Sequence, residues 1–190
     1  RDVERSRGLG DVYKRQLHSH PELSTKEVNT TRFIKEELEK MGVEVQEFEG
    51  ITGCVGTIKG DKPGKTVMLR ADIDALPITE NPGKSYCSLN PGVMHACGHD
   101  GHITVGLGTA KLLCQMREQL HGTVKFIFQP AEEGVRGARA IVENGHLEDV
   151  DFLLGAHMYG GSEQHPCGIC ITAGHGLATT KLDVDFHGKA

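Results

Sequence analysis

The chain lacks long apolar runs, basic clusters and a secretory signal. Its apolar runs, such as residues 124–128 and 152–156, have the length of strands, whereas a membrane helix needs about 20 residues. Lysine and arginine number 21 against 26 acidic residues, for a formal net charge of −5; this mild acidity argues against a nucleic-acid surface. Residues 1–15 contain no apolar segment of a signal peptide. We therefore expect a cytoplasmic protein that binds neither nucleic acid nor membrane.

Repeats, low-complexity tracts and a disulfide-rich pattern are also lacking. Six cysteines are spread over 190 residues, a length that suffices for one α/β domain with a good core, so we expect reduced thiols. Eleven histidines are many for this length. They are the first indication of metal chemistry.

Both ends of the sequence look unlike domain boundaries. Residues 1–16 are basic and show no periodicity, so we expect a non-native or disordered leader outside the fold. The catalytic domain is expected over residues 17–180. Residues 181–190 stop within a strand-like run, and we expect them to be the truncated start of a lid or dimerisation domain.

Predicted strands and helices alternate along the chain. Ser24 and Glu27 fit a capping box that opens a helix ending at Gly42. Further helices are expected over residues 101–120 and 137–144, with a turn over residues 61–64. Strands are expected over residues 43–48, 53–58, 66–71, 123–129, 151–156, 168–172 and 181–186. This order predicts an α/β fold of three layers, in which a mostly parallel sheet carries helices on both faces.

Reactive side chains follow three of these strands at their carboxyl ends. Asp72 and Asp74 follow the first, Glu132 and Glu133 the second, and His157 the third. Open α/β sheets bind ligands at this edge. We therefore expect these groups to lie close together.

The densest group of potential ligands lies between Met94 and His102. Three histidines, one cysteine and one aspartate fall within these residues. A thiolate and an imidazole two positions apart, as at Cys97 and His99, can bind one borderline-soft divalent cation. A lone cysteine or histidine is more often a packing residue, but packing does not readily explain the whole group.

The carboxylate pairs extend this pattern. An isolated Glu-Glu pair is usually a solvated turn, but here an apolar strand delivers it into the predicted crevice. A cation bound by Glu133 would remove the repulsion between the two carboxylates and leave Glu132 as general acid/base. We expect Asp74 to orient a ligand histidine or the metals, although a capping role at the end of the strand would also suit it.

Taken together, the motifs resemble the M20 peptidase family, in its amidohydrolase branch of aminoacylase, hippurate hydrolase and auxin-conjugate hydrolase type. The resemblance rests on residues 18–24, 69–77, 94–102, 122–124, 128–134 and 155–157, which appear in family order. Residues 133–139 and 177–181 look most like the A subunit of aminobenzoyl-glutamate hydrolases.

This resemblance implies a fold, a reaction and a set of roles. The fold would be zinc-exopeptidase-like. Cys97 would bridge two divalent ions (Mn²⁺ or Zn²⁺, with Co²⁺ as a substitute), His99, Glu133 and His157 would be further ligands, and Glu132 the catalytic base. The substrate would be a small N-acyl amino acid, hydrolysed at its amide bond by a metal-activated water. The family also implies a homo- or heterodimer formed through the lid domain, and a last ligand histidine beyond residue 190.

Two alternatives stay open, and a third is weaker. A cysteine-nucleophile hydrolase would use Cys97 and a histidine, but it would leave Glu132, Glu133 and His157 without a role. A truncated chain would be a non-catalytic metal-binding fragment. Cys167 and Cys170 match half of a nucleobase deaminase signature, and His20 with Glu22 the other half, but the halves lie far apart in the sequence and chance explains them better.

Overall fold

The structure is a computed structural model that describes residues 2–134, 137–158 and 184–188. In chain order its elements are α1 (Asp2–Ser19), α2 (Val28–Lys40), β1 (Glu44–Glu47), β2 (Cys54–Lys59), β3 (Lys62–Asp72), α3 (His99–Gln115), a 3-10 turn (Arg117–Gln119), β4 (His121–Gln129), α4 (Gly137–Glu143) and β5 (Phe152–Gly155). None of the described helices is long and apolar enough to cross a membrane. The strand predicted over residues 168–172 and the first half of that over 181–186 lie outside the described residues, and residues 184–188 form neither helix nor strand.

The strands form one mixed sheet in the order β1-β2-β4-β3-β5. β3 pairs in parallel with β4 and with β5, whereas β2 pairs antiparallel with β1 and with β4. The short connection between β1 and β2 permits only an antiparallel pair, since a parallel pair needs a long crossover. The prediction of a mostly parallel sheet is therefore correct only for β3, β4 and β5.

Alternating side chains on the central strand β4 build a core on each face of the sheet. Phe126 and Phe128 pack into one cluster with residues of α2 and α3, including Leu38 and Leu107. Ile127 points the other way, into a second cluster that contains Ile141 of α4. Helices thus cover both faces, which confirms the predicted three-layer α/β fold.

The stretch expected to lie outside the fold is helical and partly packed. In α1, the Tyr13 hydroxyl donates a hydrogen bond of 2.6 Å to Glu37, and its ring meets that of Phe33 edge-on at 5.9 Å. Leu17, the first residue of the expected catalytic domain, is buried in the core near the end of the same helix. The helix was not expected from the sequence because the apolar residues that pack on the core, Tyr13 and Leu17, stand among charged neighbours.

The capping box predicted at the start of α2 is wrong. Glu27 occupies the cap position, but its side chain makes no capping hydrogen bond. The amides of Asn29 and Thr30 instead donate to the carboxylate of Glu22, at 3.2 and 2.8 Å. A carboxylate from the preceding loop therefore caps α2, which leaves Ser24 and Glu27 for contacts elsewhere.

Of the two turn signals, one is confirmed and one is wrong. Gly42 follows α2 with a left-handed φ of 73°, as expected for a glycine just beyond a helix end. The turn predicted over residues 61–64 is instead the start of β3, where the pairing with β4 shifts register between Lys62 and Thr66.

Candidate metal centre

The residues predicted to form the site meet at the carboxyl edge of β3, β4 and β5. Asp74 lies just after β3, Glu132 and Glu133 just after β4, and His157 just after β5. α3 begins at the same edge with His99. Their proximity follows from the parallel arrangement of these strands, which places their carboxyl ends side by side.

His99 is fully buried and held by Asp74. Its Nδ1 lies 2.8 Å from the backbone carbonyl oxygen of Asp74 and 3.2 Å from a carboxylate oxygen of the same residue. Both partners are acceptors, so Nδ1 donates and the lone pair lies on Nε2, which points away from Asp74. Nε2 lies 4.0 Å from a carboxylate oxygen of Glu133.

Asp74 is fixed by donors from several elements. Its carboxylate accepts hydrogen bonds from the Ser24 hydroxyl at 2.7 Å and from the backbone N–H of Glu133 at 3.0 Å. Burial alone would raise the pKa of Asp74, but the hydrogen bonds from His99, Ser24 and the Glu133 amide outweigh it and lower the pKa to about 2. Asp74 is therefore an anion at neutral pH. Burial lowers the pKa of His99, yet the neighbouring aspartates outweigh this and raise it.

Glu132 and Glu133 follow a turn at Ala131 whose backbone is hydrogen-bonded to a buried carboxylate. Ala131 has a φ of 51°, a left-handed conformation that residues other than glycine rarely adopt. Its N–H donates a hydrogen bond of 2.9 Å to the carboxylate of Glu27. The same carboxylate accepts a hydrogen bond of 2.6 Å from the Thr52 hydroxyl. Glu27, which we predicted to cap a helix, is thus a fully buried anchor for the turn that presents both glutamates.

The Cys97 thiol faces His157. The Sγ atom lies 3.3 Å from Nε2 of His157, whose Nδ1 lies 2.8 Å from the carbonyl oxygen of Met158. Burial and the nearby Glu133 carboxylate raise the pKa of Cys97 to about 11. The thiol is therefore protonated at neutral pH unless a bound cation stabilises the thiolate.

The described residues offer three overlapping groups of metal-ligand type, in each of which the ligand atoms lie within 4.8 Å of one another. The groups are Cys97 with His99 and His157, Asp72 with His99 and His102, and His99 with Glu132 and Glu133. All four predicted ligands and Glu132 belong to them. Asp74 contacts the group through His99.

Four buried atoms of these groups lack a hydrogen-bond partner among the described residues: Nε2 of His99, Oε1 of Glu133, Nδ1 of His102 and Oδ1 of Asp72. The first two lie 4.0 Å apart. An unsatisfied buried polar atom costs about 1–3 kcal/mol, and one cation between the two would satisfy both. Thiol, imidazole and carboxylate donors together suit divalent cations such as Zn²⁺ and Mn²⁺. The residues present therefore fit a divalent metal centre.

Several residues beside the site had no contact or role predicted from the sequence. A carboxylate oxygen of Asp72 lies 3.5 Å from Nδ1 of His102. The Arg70 guanidinium lies 2.5 Å from the other oxygen of Asp72 and 3.9 Å from Glu132. A signal for His102 was present, since it lies three residues after His99 and so on the same helical face. No local pattern indicated that Ser24 contacts Asp74.

The fold and donor set define an α/β protein with a candidate metal centre at the carboxyl edge of its sheet. Residues 68–190 match the model of Peptidase family M20/M25/M40. The chain therefore belongs to this family, which confirms the resemblance of its motifs.

Named relatives and a solved structure agree with this assignment. The chain is 45% identical over 181 residues to Thermostable carboxypeptidase 1 of Saccharolobus solfataricus, covering 93% of the chain and 45% of the relative. It is 42% identical over 159 residues to an N-acyl-L-amino acid amidohydrolase of Geobacillus stearothermophilus, covering 83% of the chain and 43% of the relative. A Bacillus subtilis structure, described as a dinuclear metal binding peptidase from the M20 family, superposes with a TM-score of 0.78 at 45% identity, covering 81% of the chain and 43% of that protein. The chain thus spans less than half the length of these relatives.

Proposed function

We propose that this chain carries the metal centre of an amidohydrolase that cleaves the amide bond of small N-acyl amino acids. The observation that carries the proposal is that Cys97, His99, Glu133 and His157 fall in two overlapping ligand groups that share His99. Nε2 of His99 and Oε1 of Glu133 are buried there without a hydrogen-bond partner. Glu132 lies beside this group with its side chain partly exposed. A spare carboxylate next to a cation site is the arrangement that metal-assisted hydrolysis requires.

When bound, two divalent ions would supply a water of lowered pKa and polarise the amide carbonyl. Cys97, His99, Glu133 and His157 are the residues that would hold them. A thiolate favours Zn²⁺, whereas carboxylates beside it also suit Mn²⁺.

The chain's own residues divide the remaining work. Glu132 takes a proton from the attacking water and later returns it to the leaving amine. Asp74 keeps Nδ1 of His99 protonated, so that Nε2 stays directed at the metal site. Arg70 lies near both Glu132 and Asp72 and can form an ion pair with each carboxylate.

The proposed substrate class follows from the chemistry that the relatives' names share. A carboxypeptidase and an N-acyl-amino-acid amidohydrolase both cleave an amide whose nitrogen belongs to an amino acid with a free carboxylate. Hippurate, aminobenzoyl-glutamate and indole-acetyl amino acids all have this structure. We propose them as the substrates with which to begin.

The test is metal-dependent release of an amino acid by the protein that contains this chain. Purified protein is assayed with these substrates after EDTA treatment, and again after Mn²⁺ or Zn²⁺ is restored. We expect EDTA to abolish release and the metal to recover it. Glu133→Gln should lose bound metal and activity together, whereas Ser85→Ala, at an exposed loop serine, should change neither.

The same assay separates the alternatives. If a thiol alkylator abolished hydrolysis while EDTA did not, Cys97 would be the nucleophile and the metal proposal would be wrong. Metal binding without release of an amino acid from any N-acyl substrate would favour a non-catalytic metal-binding fragment.

A further inference from the structure

We propose that His102 is a positioning residue that fixes the metal-facing orientation of His157 through the backbone of Met158. This inference rests on the proposed metal centre. His102 lies in the first turn of α3 with its ring buried. The rings of His102 and His157 meet edge-on, with their centroids 4.6 Å apart.

The hydrogen bonds of His102 determine which ring nitrogen carries its proton. Nε2 lies 3.0 Å from the backbone nitrogen of Met158. A backbone N–H only donates, so Nε2 accepts this bond and the proton sits on Nδ1. Nδ1 faces a carboxylate oxygen of Asp72 at 3.5 Å. The proton-bearing Nδ1 makes no hydrogen bond among the described residues, and the lone pair of Nε2 accepts the Met158 N–H. In this tautomer His102 therefore offers no lone pair to a cation.

The Met158 backbone then sets His157. Its carbonyl oxygen lies 2.8 Å from Nδ1 of His157 and accepts the proton of that nitrogen. Nε2 of His157 therefore carries the lone pair, and it points at Cys97 across 3.3 Å. His102 holds the N–H of the same residue whose C=O holds His157.

The Met158 side chain adds a second constraint on this backbone. It packs against Gly98 and Gly101, where an added Cβ would lie 3.3 and 3.2 Å from its atoms. Glycine at both positions lets the residue after His157 approach the start of α3 closely.

The surroundings of His157 explain why such a contact matters. The preceding strand β5 pairs with β3 alone among the described strands. Every residue of β5 is exposed, and so is His157. An exposed edge segment has few packing contacts to define its position. The buried His102 ring joins this segment to the start of α3 by a hydrogen bond, beside the packing of Met158 on Gly98 and Gly101.

Binding of Co²⁺ by the 190-residue chain tests this role. The thiolate-to-Co²⁺ absorption band reports Cys97, and ligand-field bands report the imidazoles. Dissociation constants are measured for wild type, His102→Leu, His157→Ala and the double variant. His102→Gln is the conservative variant, because its amide oxygen can accept the Met158 N–H. His121→Leu is the control, because His121 is an exposed histidine at the amino end of β4, far from the carboxyl ends where the site lies.

We expect His102→Leu to weaken Co²⁺ binding about 10–100-fold, as is typical when a partner of a ligand is removed. His102→Gln should recover most of this loss, and His121→Leu should change nothing. In the His157→Ala background, His102→Leu should add less than about a twofold loss, since the residue through which it acts is already gone. Additive losses would show that His102 acts independently of His157 and would overturn the proposal.

Nitrogen NMR of the metal-free wild-type chain tests the proposal even if the leucine variant fails to fold. We expect His102 to carry its proton on Nδ1 and none on Nε2; the opposite tautomer would overturn the proposal. A wild-type chain that bound no Co²⁺ would contradict the metal centre itself. If the wild-type chain bound Co²⁺ but the affinity losses of His102→Leu and His157→Ala were additive, only the role of His102 would be contradicted.

Discussion

The two sides of the metal centre are built very differently. His99 lies at the start of a helix packed on the sheet and is fully buried, with both oxygen partners supplied by Asp74. His157 follows an exposed edge strand, and the backbone beside it is tied to His102 by one hydrogen bond. The His99 side is therefore organised by the fold, whereas the His157 side depends on a few local contacts.

The candidate metal centre thus combines a preorganised side with an accessible one. Asp74 is buried and makes several hydrogen bonds, so it holds His99 in place before a cation binds. This limits the conformational entropy that is lost on binding. The exposed His157 side leaves a path to solvent. Glu132, the proposed base, also lies partly exposed.

We expect the largest effect from a variant of Glu132, which separates the chemical step from metal binding. In Glu132→Gln, an amide replaces the group that takes the proton, so kcat for amide hydrolysis should fall about 10²–10⁴-fold. Bound metal, measured by elemental analysis, should stay the same. A parallel loss of metal would show that Glu132 is a ligand rather than the base.

The comparison itself is tested by Asp74→Ala beside His157→Ala. Both should weaken Co²⁺ binding about 10–100-fold. In EDTA, however, Asp74→Ala should lower the free energy of unfolding by about 1–3 kcal/mol, because it leaves buried donors unpaired. His157→Ala should change it by less than about 0.5 kcal/mol. Equal losses in urea unfolding would break the proposed contrast.

Acid should weaken the His99 side in a defined range. The ordinary pKa of an aspartate is 3.8, and that of Asp74 is lowered to about 2, so the unfolded chain takes up this proton first as the pH falls. The stabilisation by ionised Asp74 is thus complete above about pH 4 and is lost as the pH falls toward 2. In urea unfolding with EDTA present, the free energy of unfolding should fall more steeply below pH 4 for wild type than for Asp74→Asn. Identical slopes would contradict this assignment.

The smallest expected effect is that of Ser24→Ala. Removing one of several donors to Asp74 should lower the free energy of unfolding by about 0.5–1.5 kcal/mol and change Co²⁺ affinity little, because His99 and the Glu133 amide remain. Ser85→Ala is the matched control and should leave both unchanged. A large loss of Co²⁺ affinity would show that Ser24 is essential to the His99 side.

The groups that meet at the centre were predictable because each follows a strongly patterned element. Apolar strands ending before Asp72, Glu132 and His157 placed carboxylates and an imidazole at one edge of the sheet, by the geometry of parallel strands. The spacing of Cys97 and His99 indicated metal ligands without any tertiary information. Family membership follows from the same motifs.

Contacts between distant parts of the chain were not predictable from local patterns. Ser24 and Glu27 have the spacing of a capping box, yet tertiary packing directs one to Asp74 and the other to the turn at Ala131. The antiparallel placement of β2 beside β4 also depends on how the sheet assembles. Local spacing constrains only neighbours within a few residues, whereas these contacts join segments 50 and 104 residues apart.

The amino-acid sequence specifies the chemistry available to this protein, namely which donors exist and at which strand ends they appear. How those donors are held depends on tertiary packing. A buried carboxylate fixes His99, and a strained turn anchored by Glu27 presents the glutamates. A neighbouring histidine aligns the backbone beside His157. The physical reason is that side-chain identity sets what an atom can bind, while its direction depends on buried hydrogen bonds between segments brought together by the hydrophobic core.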